Sequence, residues 1–249
     1  MIWAILIGNT RAVAALMKGE IILKRHVVPT ASLRSSRGTA QWAKKLKSLS
    51  MARGAIIASV VPPLDKNVRS SFRKTMALDP VFVTSGRKLG IPVKVKKPGQ
   101  VGADRLANAV AAKELFGSPA IVVDYGTGTT FDVVDKKGAY CGGAILPGLG
   151  ISLRALNEYT AKIPRVRFEK TRYAIGKTTE EAVRSGVYHG AIGTTRELLS
   201  CIRAELGGRA PAIATGGFSG HFKDTGLFKK IEPDLTLKGL ALIWRNFHA

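Results

Sequence analysis

Apolar and polar positions along this 249-residue chain switch between a strand-like and a helix-like period. Ile2–Ile7 is a continuous apolar run, short enough for a buried strand. It enters Gly8-Asn9-Thr10, a second apolar stretch follows at Ala12–Leu16, and a Lys18-Gly19 turn leads into a third strand at Glu20–Leu23. These read as two hairpins whose Gly and Asn residues sit where positive φ is needed. The pattern returns about 118 residues later. Ala120–Asp124 enters Gly126-Thr127-Gly128, Thr129–Asp135 follows, and a Lys137-Gly138 turn leads through Ala139–Cys141 into Gly142-Gly143. In this alignment Leu6 falls on Asp124 and Gly8 on Gly126.

Between and after these units the period becomes helical. Thr39–Met51 places Trp42, Leu46 and Leu49 on one face, and Asp104–Phe116 does the same with Leu106, Ala109 and Val110. Asp104 has the chemistry of an N-cap. Glu180–Leu206 reads as a long helix interrupted by glycine, and Lys238–Phe247 as a short final one. Two three-stranded units, each followed by helices, predict an α/β protein of two lobes, 1–117 and 118–249, flanking a cleft. The final helix is free to pack back on the first lobe.

Composition narrows the class. Charges are interspersed and no apolar run reaches the ~18 residues of a membrane helix, so the reading is a globular protein with no membrane partner. The apolar start lacks a basic leader and reads as a strand rather than a signal peptide. Two cysteines exclude a disulfide framework and suit a reducing cytoplasm. The net charge is +22. It is uneven, with 21 Lys/Arg against 5 Asp/Glu in 1–117 and 18 against 12 in the remainder. Such a field attracts polyanions, so a nucleic-acid partner stands beside a plain solvated surface. No aromatics interleave with the basic runs, which argues against a stacking platform for single strands.

The chemistry lies in the turns. A strand–Gly–strand turn presents backbone N–H groups and hydroxyls to a ligand without obstruction. Two such turns can hold the β- and γ-phosphates of a nucleotide, with an acidic residue before the turn holding the bridging metal. Asp124 meets that requirement; the plainer reading is a structural turn aspartate. Ala212-Ile-Ala-Thr-Gly-Gly217 is a strand running into Gly216-Gly217, suited to let an adenine lie against backbone.

Several collinear motifs then carry a resemblance. Gly8-Asn-Thr10, Ser59-Val-Val-Pro62, Gly102-Ala-Asp-Arg105, Val123-Asp-Tyr-Gly-Thr127 and Gly142-Gly-Ala-Ile-Leu-Pro-Gly148 resemble the type III pantothenate kinase family. So do Ile175-Gly-Lys-Thr-Thr179, Thr215-Gly-Gly217 and Pro233-Asp-Leu-Thr-Leu-Lys-Gly-Leu240. The resemblance implies the acetate/sugar kinase–Hsp70–actin superfamily, with two ribonuclease-H-like lobes flanking a nucleotide cleft. It also implies phosphorylation of pantothenate by ATP in coenzyme A biosynthesis, a homodimer, Mg2+, and a monovalent cation (K+ or NH4+). By motif, Asp104 resembles the general base, with Gly102, Arg105 and Thr179 as substrate contacts. Gly8, Asn9, Thr10, Gly126 and Thr127 would line the phosphate turns.

Two departures bear on activity. The family has an aspartate where this chain has Leu6, and a leucine cannot bind a metal–phosphate complex. Val95 stands where family members often place a tyrosine, and Lys96-Lys97 beside it favour a more anionic ligand. The expected outcome is a weakened or substrate-altered kinase. The alternatives are a regulatory or nucleic-acid-binding factor that has left catalysis, and a subunit of a hetero-oligomer.

Overall fold

The computed structural model describes residues 1–50 and 52–248. The chain divides into two compact units: Met1–Leu115 with the segment from Asp234 onward, and Phe116–Pro233. Each holds a five-stranded sheet.

In the first unit the strands are β1 (Ile2–Ile7), β2 (Arg11–Lys18), β3 (Ile21–Pro29), β4 (Ala55–Ser59) and β5 (Val81–Phe82), in the order β3-β2-β1-β4-β5. β1 pairs antiparallel with β2 and parallel with β4. Its central place explains its unbroken apolar sequence, since both faces are covered. Trp3, Ile5 and Ile7 point to one face, where they join Trp42, Leu46, Val68 and Phe72. Those residues come from α1 (Ser36–Leu49) and α2 (Pro62–Met76). Ser35 caps α1 by accepting from the Gly38 N–H at 3.0 Å, and Pro62 opens α2 with a backbone angle already suited to a helix. The remaining helices of this unit are α3 (Ala103–Phe116, its last residue across the boundary) and α6 (Leu235–Phe247).

The second unit repeats this topology. Its strands are β6 (Ala120–Tyr125), β7 (Gly128–Val134), β8 (Tyr140–Pro147), β9 (Ala212–Thr215) and β10 (Lys230–Ile231), in the order β8-β7-β6-β9-β10 when read from the equivalent edge. β6 pairs antiparallel with β7 and parallel with β9, as β1 does with β2 and β4. Helices α4 (Leu149–Glu158) and α5 (Thr179–Glu205) complete the unit. Its core gathers Ile121, Val123, Phe131 and Leu199, with Tyr125 stacked on Phe222 at 4.2 Å between centroids.

The structure amends several expected boundaries. β3 runs to Pro29 rather than stopping at Leu23, because it lies along all of β2. α1 begins at Ser36 and ends at Leu49; Met51, included in the expected helix, lies outside the described residues. Sequence places the division at 117/118 and leaves the final helix free to pack back on the first lobe; α6 does belong to the first unit. There it packs against β1 and β4. The fit against α3 is close: a Cβ on Gly239 would lie 2.0 Å from the Ala107 carbonyl oxygen. The buried Thr236 hydroxyl donates to Asn108 Oδ1 at 2.7 Å beside it.

Candidate active site

The first turn is built by local backbone bonds and one distant brace. The Gly8 N–H donates to the Arg11 carbonyl at 3.0 Å, closing the turn between β1 and β2. Thr30, just past β3, donates its hydroxyl to the Gly8 carbonyl at 2.6 Å and its N–H to the Thr10 carbonyl at 3.0 Å. Asn9 and Thr10 are exposed. Nothing in the sequence marks Thr30, because its contact depends on how β3 returns along β2. The residue before the turn, Leu6, is half-buried between Val13 of β2 and Ala58 of β4 in register. It offers hydrocarbon where a ligand atom is expected.

Gly102, Asp104 and Arg105 come together because they open α3. The helix starts at Ala103, so Asp104 lies inside the first turn instead of capping it. The Leu106 N–H bonds to the Gly102 carbonyl at 3.1 Å, which gives Gly102 the start position. Asp104 Oδ1 accepts from the Arg105 N–H at 2.8 Å. A Cβ on Gly102 would sit 2.6 Å from that same oxygen, so glycine leaves the carboxylate its space. Burial pushes the Asp104 carboxyl above its ordinary value, while the Arg105 N–H and guanidinium pull the other way. A raised carboxyl is a stronger proton acceptor than a surface one.

In the second unit three elements converge on Asp124. It sits near the end of β6, in register with Thr130 of β7 and Thr215 of β9. The Gly126 N–H closes the second turn on the Gly128 carbonyl at 3.1 Å. Gly216 follows β9 with φ +89°, and a Cβ there would lie 2.3 Å from Asp124 Oδ1 and 2.7 Å from the Tyr125 carbonyl. The aspartate, the phosphate turn and the double glycine therefore form one cluster, with Thr127 and Gly217 exposed beside it. Gly148 is a further member: a Cβ there would come within 2.1 Å of the Thr127 carbonyl oxygen. Its motif is visible in the sequence, but its close approach to the turn is not.

Thr179 is placed elsewhere. It is the first residue of α5, behind a capping box in which Thr178 Oγ1 accepts from the Glu181 N–H at 3.2 Å. It lines a mainly apolar cavity of about 660 Å³ with Tyr125, Phe131, Leu146, Val183 and Val187. Tyr125 bonds Thr195 of α5 at 2.7 Å, and burial pushes its hydroxyl up to about 12, so it stays neutral. Since neighbours on a strand point to opposite faces, Thr179 is on the α5 side of this sheet and Asp124 on the other.

The donor set at Asp124 suits a hard divalent cation. Among the described residues no three His, Cys, Asp or Glu side chains gather as a metal cage. Mg2+ needs none, being held commonly by one or two carboxylates together with nucleotide phosphates and water. A Cβ on Gly126 or Gly216 would lie 3.3 or 2.3 Å from Asp124 Oδ1 and crowd the carboxylate.

Gly216→Ala therefore meets both a left-handed backbone angle and a carboxylate at 2.3 Å. The expected result is nucleotide affinity about ten-fold weaker or worse, the equivalent of ~1.4 kcal/mol of strain. Calorimetry with a non-hydrolysable ATP analogue reads it. Gly220→Ala, where nothing lies within 4 Å, is the control and should bind as wild type.

Comparison with known proteins shows what the chain as a whole is similar to. The family model described as type III pantothenate kinase matches residues 2–200. The type III pantothenate kinase of Thermomicrobium roseum is 40% identical over 257 residues, covering 100% of this chain and 98% of that one. Among solved structures, a conserved Campylobacter jejuni protein named for the Baf family of transcriptional activators superposes with a TM-score of 0.63 at 14% identity, covering 99% and 100% of the two chains. The inorganic polyphosphate/ATP-glucomannokinase of Arthrobacter does so at 0.51 and 13% identity, covering 100% and 99%. The last two similarities show the shared two-sheet, actin-like α/β fold.

Proposed function

Since this chain belongs to the type III pantothenate kinase family, an ATP-dependent phosphotransferase of coenzyme A biosynthesis, we propose how its own residues divide the work. Asp104 accepts the proton of the pantothenate hydroxyl as that oxygen attacks the γ-phosphate of ATP. Arg105 and Gly102 hold the substrate, and Thr179 supplies a contact across a homodimer. Gly8, Asn9, Thr10, Gly126 and Thr127 donate to the phosphates, while Gly216 and Gly217 accept the adenine against bare backbone. Asp124 holds the cation. A bound Mg2+ neutralises charge that develops on the transferred phosphoryl group, and we place the monovalent cation, K+ or NH4+, beside the same turn.

The observation that carries this reading is Asp104, a half-buried carboxyl raised by burial and opening a helix beside Arg105. The reading as a regulatory factor that has left catalysis is not favoured, because the resemblance to pantothenate kinases runs the full length of the chain. Two exposed free thiols, Cys141 and Cys201, fit the cytoplasmic setting that we propose for it.

The test is turnover of pantothenate and ATP, followed by product formation, for wild type and Asp124→Asn. We expect the variant to lose about 10²–10³ in rate, the usual cost of one electrostatic group at a transferring phosphate. Equal rates would remove Asp124 from the site, and no phosphopantothenate from wild type would sink the whole assignment. Light scattering on the same sample should read two chains of 26.6 kDa; a monomer that turns over at full rate would exclude Thr179 as a contact across subunits.

A further inference from the structure

Kinase chemistry leaves the distribution of positive charge unexplained. From Ile21 to Leu64 the chain contains eight Lys or Arg residues and no Asp or Glu. From Arg34 to Met76, the stretch that forms α1 and α2, ten basic residues face a single acid, Asp65. That carboxyl is half-buried, and burial raises it above its ordinary value. The two helices pack side by side on one face of the first sheet, joined by the Ser71–Thr39 hydroxyl bond at 2.9 Å and the Trp42–Phe72 edge contact. Their apolar residues are turned into the core, so what remains outward is cationic.

Most of the outward cations have no carboxylate partner among the described residues. Arg69 and Arg73 reach Asp79. Among the described residues no carboxylate pairs with Arg34, Arg37, Lys44, Lys45, Lys66 or Lys74, although all six are exposed. Arg37 and Lys44 on α1 are seven residues apart and Lys66 and Lys74 on α2 eight, about 10–12 Å along each axis, and adjacent helices lie about 8–10 Å apart. The result is two rows of cations on a rigid support. A duplex nucleic acid carries one phosphate per ~1.7 Å of its axis and meets such rows without any base contact. We propose that the α1–α2 face docks the phosphate backbone of a double-helical nucleic acid.

The face lacks what other anionic partners require. A single strand needs exposed aromatics on which to stack its bases. Insertion into a membrane interface needs Trp, Phe or Leu on the outer side of the helix. Neither helix has an exposed large hydrophobic residue, since Trp42, Leu46 and Phe72 are buried. The docking is sequence-independent, and it does not depend on the phosphotransfer assignment.

The test uses fluorescence anisotropy of a labelled DNA duplex about two helical turns long. Wild type is compared with Arg37→Glu/Lys44→Glu/Lys45→Glu and with Lys162→Glu/Lys229→Glu/Lys230→Glu, which removes the same charge from the second unit. Wild-type affinity should rise steeply as salt falls. Three phosphate contacts account for about 40-fold between roughly 200 and 50 mM, so the α1 variant should lose about that much of the gain and the second-unit variant little. A second variant, Lys66→Glu/Lys74→Glu on α2, repeats the measurement should α1 not tolerate three glutamates. Kinase turnover serves as the fold check for each. Equal losses in α1 and second-unit variants would mean diffuse charge and overturn the proposal. So would wild type failing to bind at about 50 mM salt, or capture by phosphatidylserine vesicles but not by duplex. A greater loss in kcat/KM for ATP than in duplex affinity would assign the face to substrate attraction instead.

Discussion

Asp104→Asn lowers kcat about 10²–10⁴-fold, the range attached to a positioned general base, while ATP affinity stays near that of wild type. The asparagine keeps the size and polarity of the side chain and removes only its ability to take a proton. The pH dependence follows from the burial that raises the Asp104 carboxyl. Wild-type kcat/KM falls as pH drops through that raised value, so its acid limb lies above the ordinary carboxylate range near 4. The variant lacks this limb. Stability moves the other way: a carboxyl raised on folding binds more protons in the native chain than in the unfolded one. Native stability therefore declines as pH rises between the ordinary and raised values. Asp104→Asn removes that decline and should melt no lower than wild type at neutral pH. A variant within ten-fold of wild type in turnover would take the proton-acceptor role away from Asp104.

Leu6→Asp raises pantothenate phosphorylation ten-fold or more, because a missing electrostatic group at a reacting phosphate costs about 10²–10³ and Gly8, Asn9, Thr10, Asp104 and Asp124 are retained in the sequence. The position is set by register rather than by motif alone. Leu6 occupies on β1 the place that Asp124 occupies on β6, with an antiparallel neighbour on one side and a parallel one on the other. Leu6 is half-buried at the end of its strand, so an aspartate there keeps access to water and unfolds nothing. Wild-type turnover of about 1 per second or faster would show that no carboxylate is needed at position 6. A Leu6→Asp variant no faster than wild type would place the limiting step elsewhere.

The duplicated sheet is legible in the sequence because its signals are local. Apolar runs, glycine turns at Gly19 and Gly138, and the change from period two to period 3.6 each lie within a few residues. The helix α5 is legible for the same reason, ending one residue before its expected limit with its capping box at Thr178 and Glu181. What escapes depends on contacts between distant segments. The Thr30 brace on Gly8, the approach of Gly148 to Thr127 and the cavity beside Thr179 exist only after strands and helices have packed. α2 is a different case: Pro62 and the spacing of Leu64, Val68 and Phe72 announce a helix, yet its four Lys or Arg residues and its short flanks hide it behind a motif. Asp104 has the chemistry of a cap, but Gly102 takes the helix start because its lack of a side chain makes room for the carboxylate.

The return of α6 to the first unit has a consequence for synthesis. A ribosome makes β1 and β4 early and the helix that covers them near the end of the described chain. The intervening segment, Phe116–Pro233, is continuous and closes its own sheet before α6 has emerged. Until then the surface that will receive Leu235, Leu240 and Ile243 stays open to water. A product truncated near Pro233 would thus carry a finished second half and an uncovered first half, the kind of exposed apolar surface that proteases and chaperones recognise. Placing α6 on β1 and β4 makes the unit that contains Asp104 depend on translation having passed Phe247.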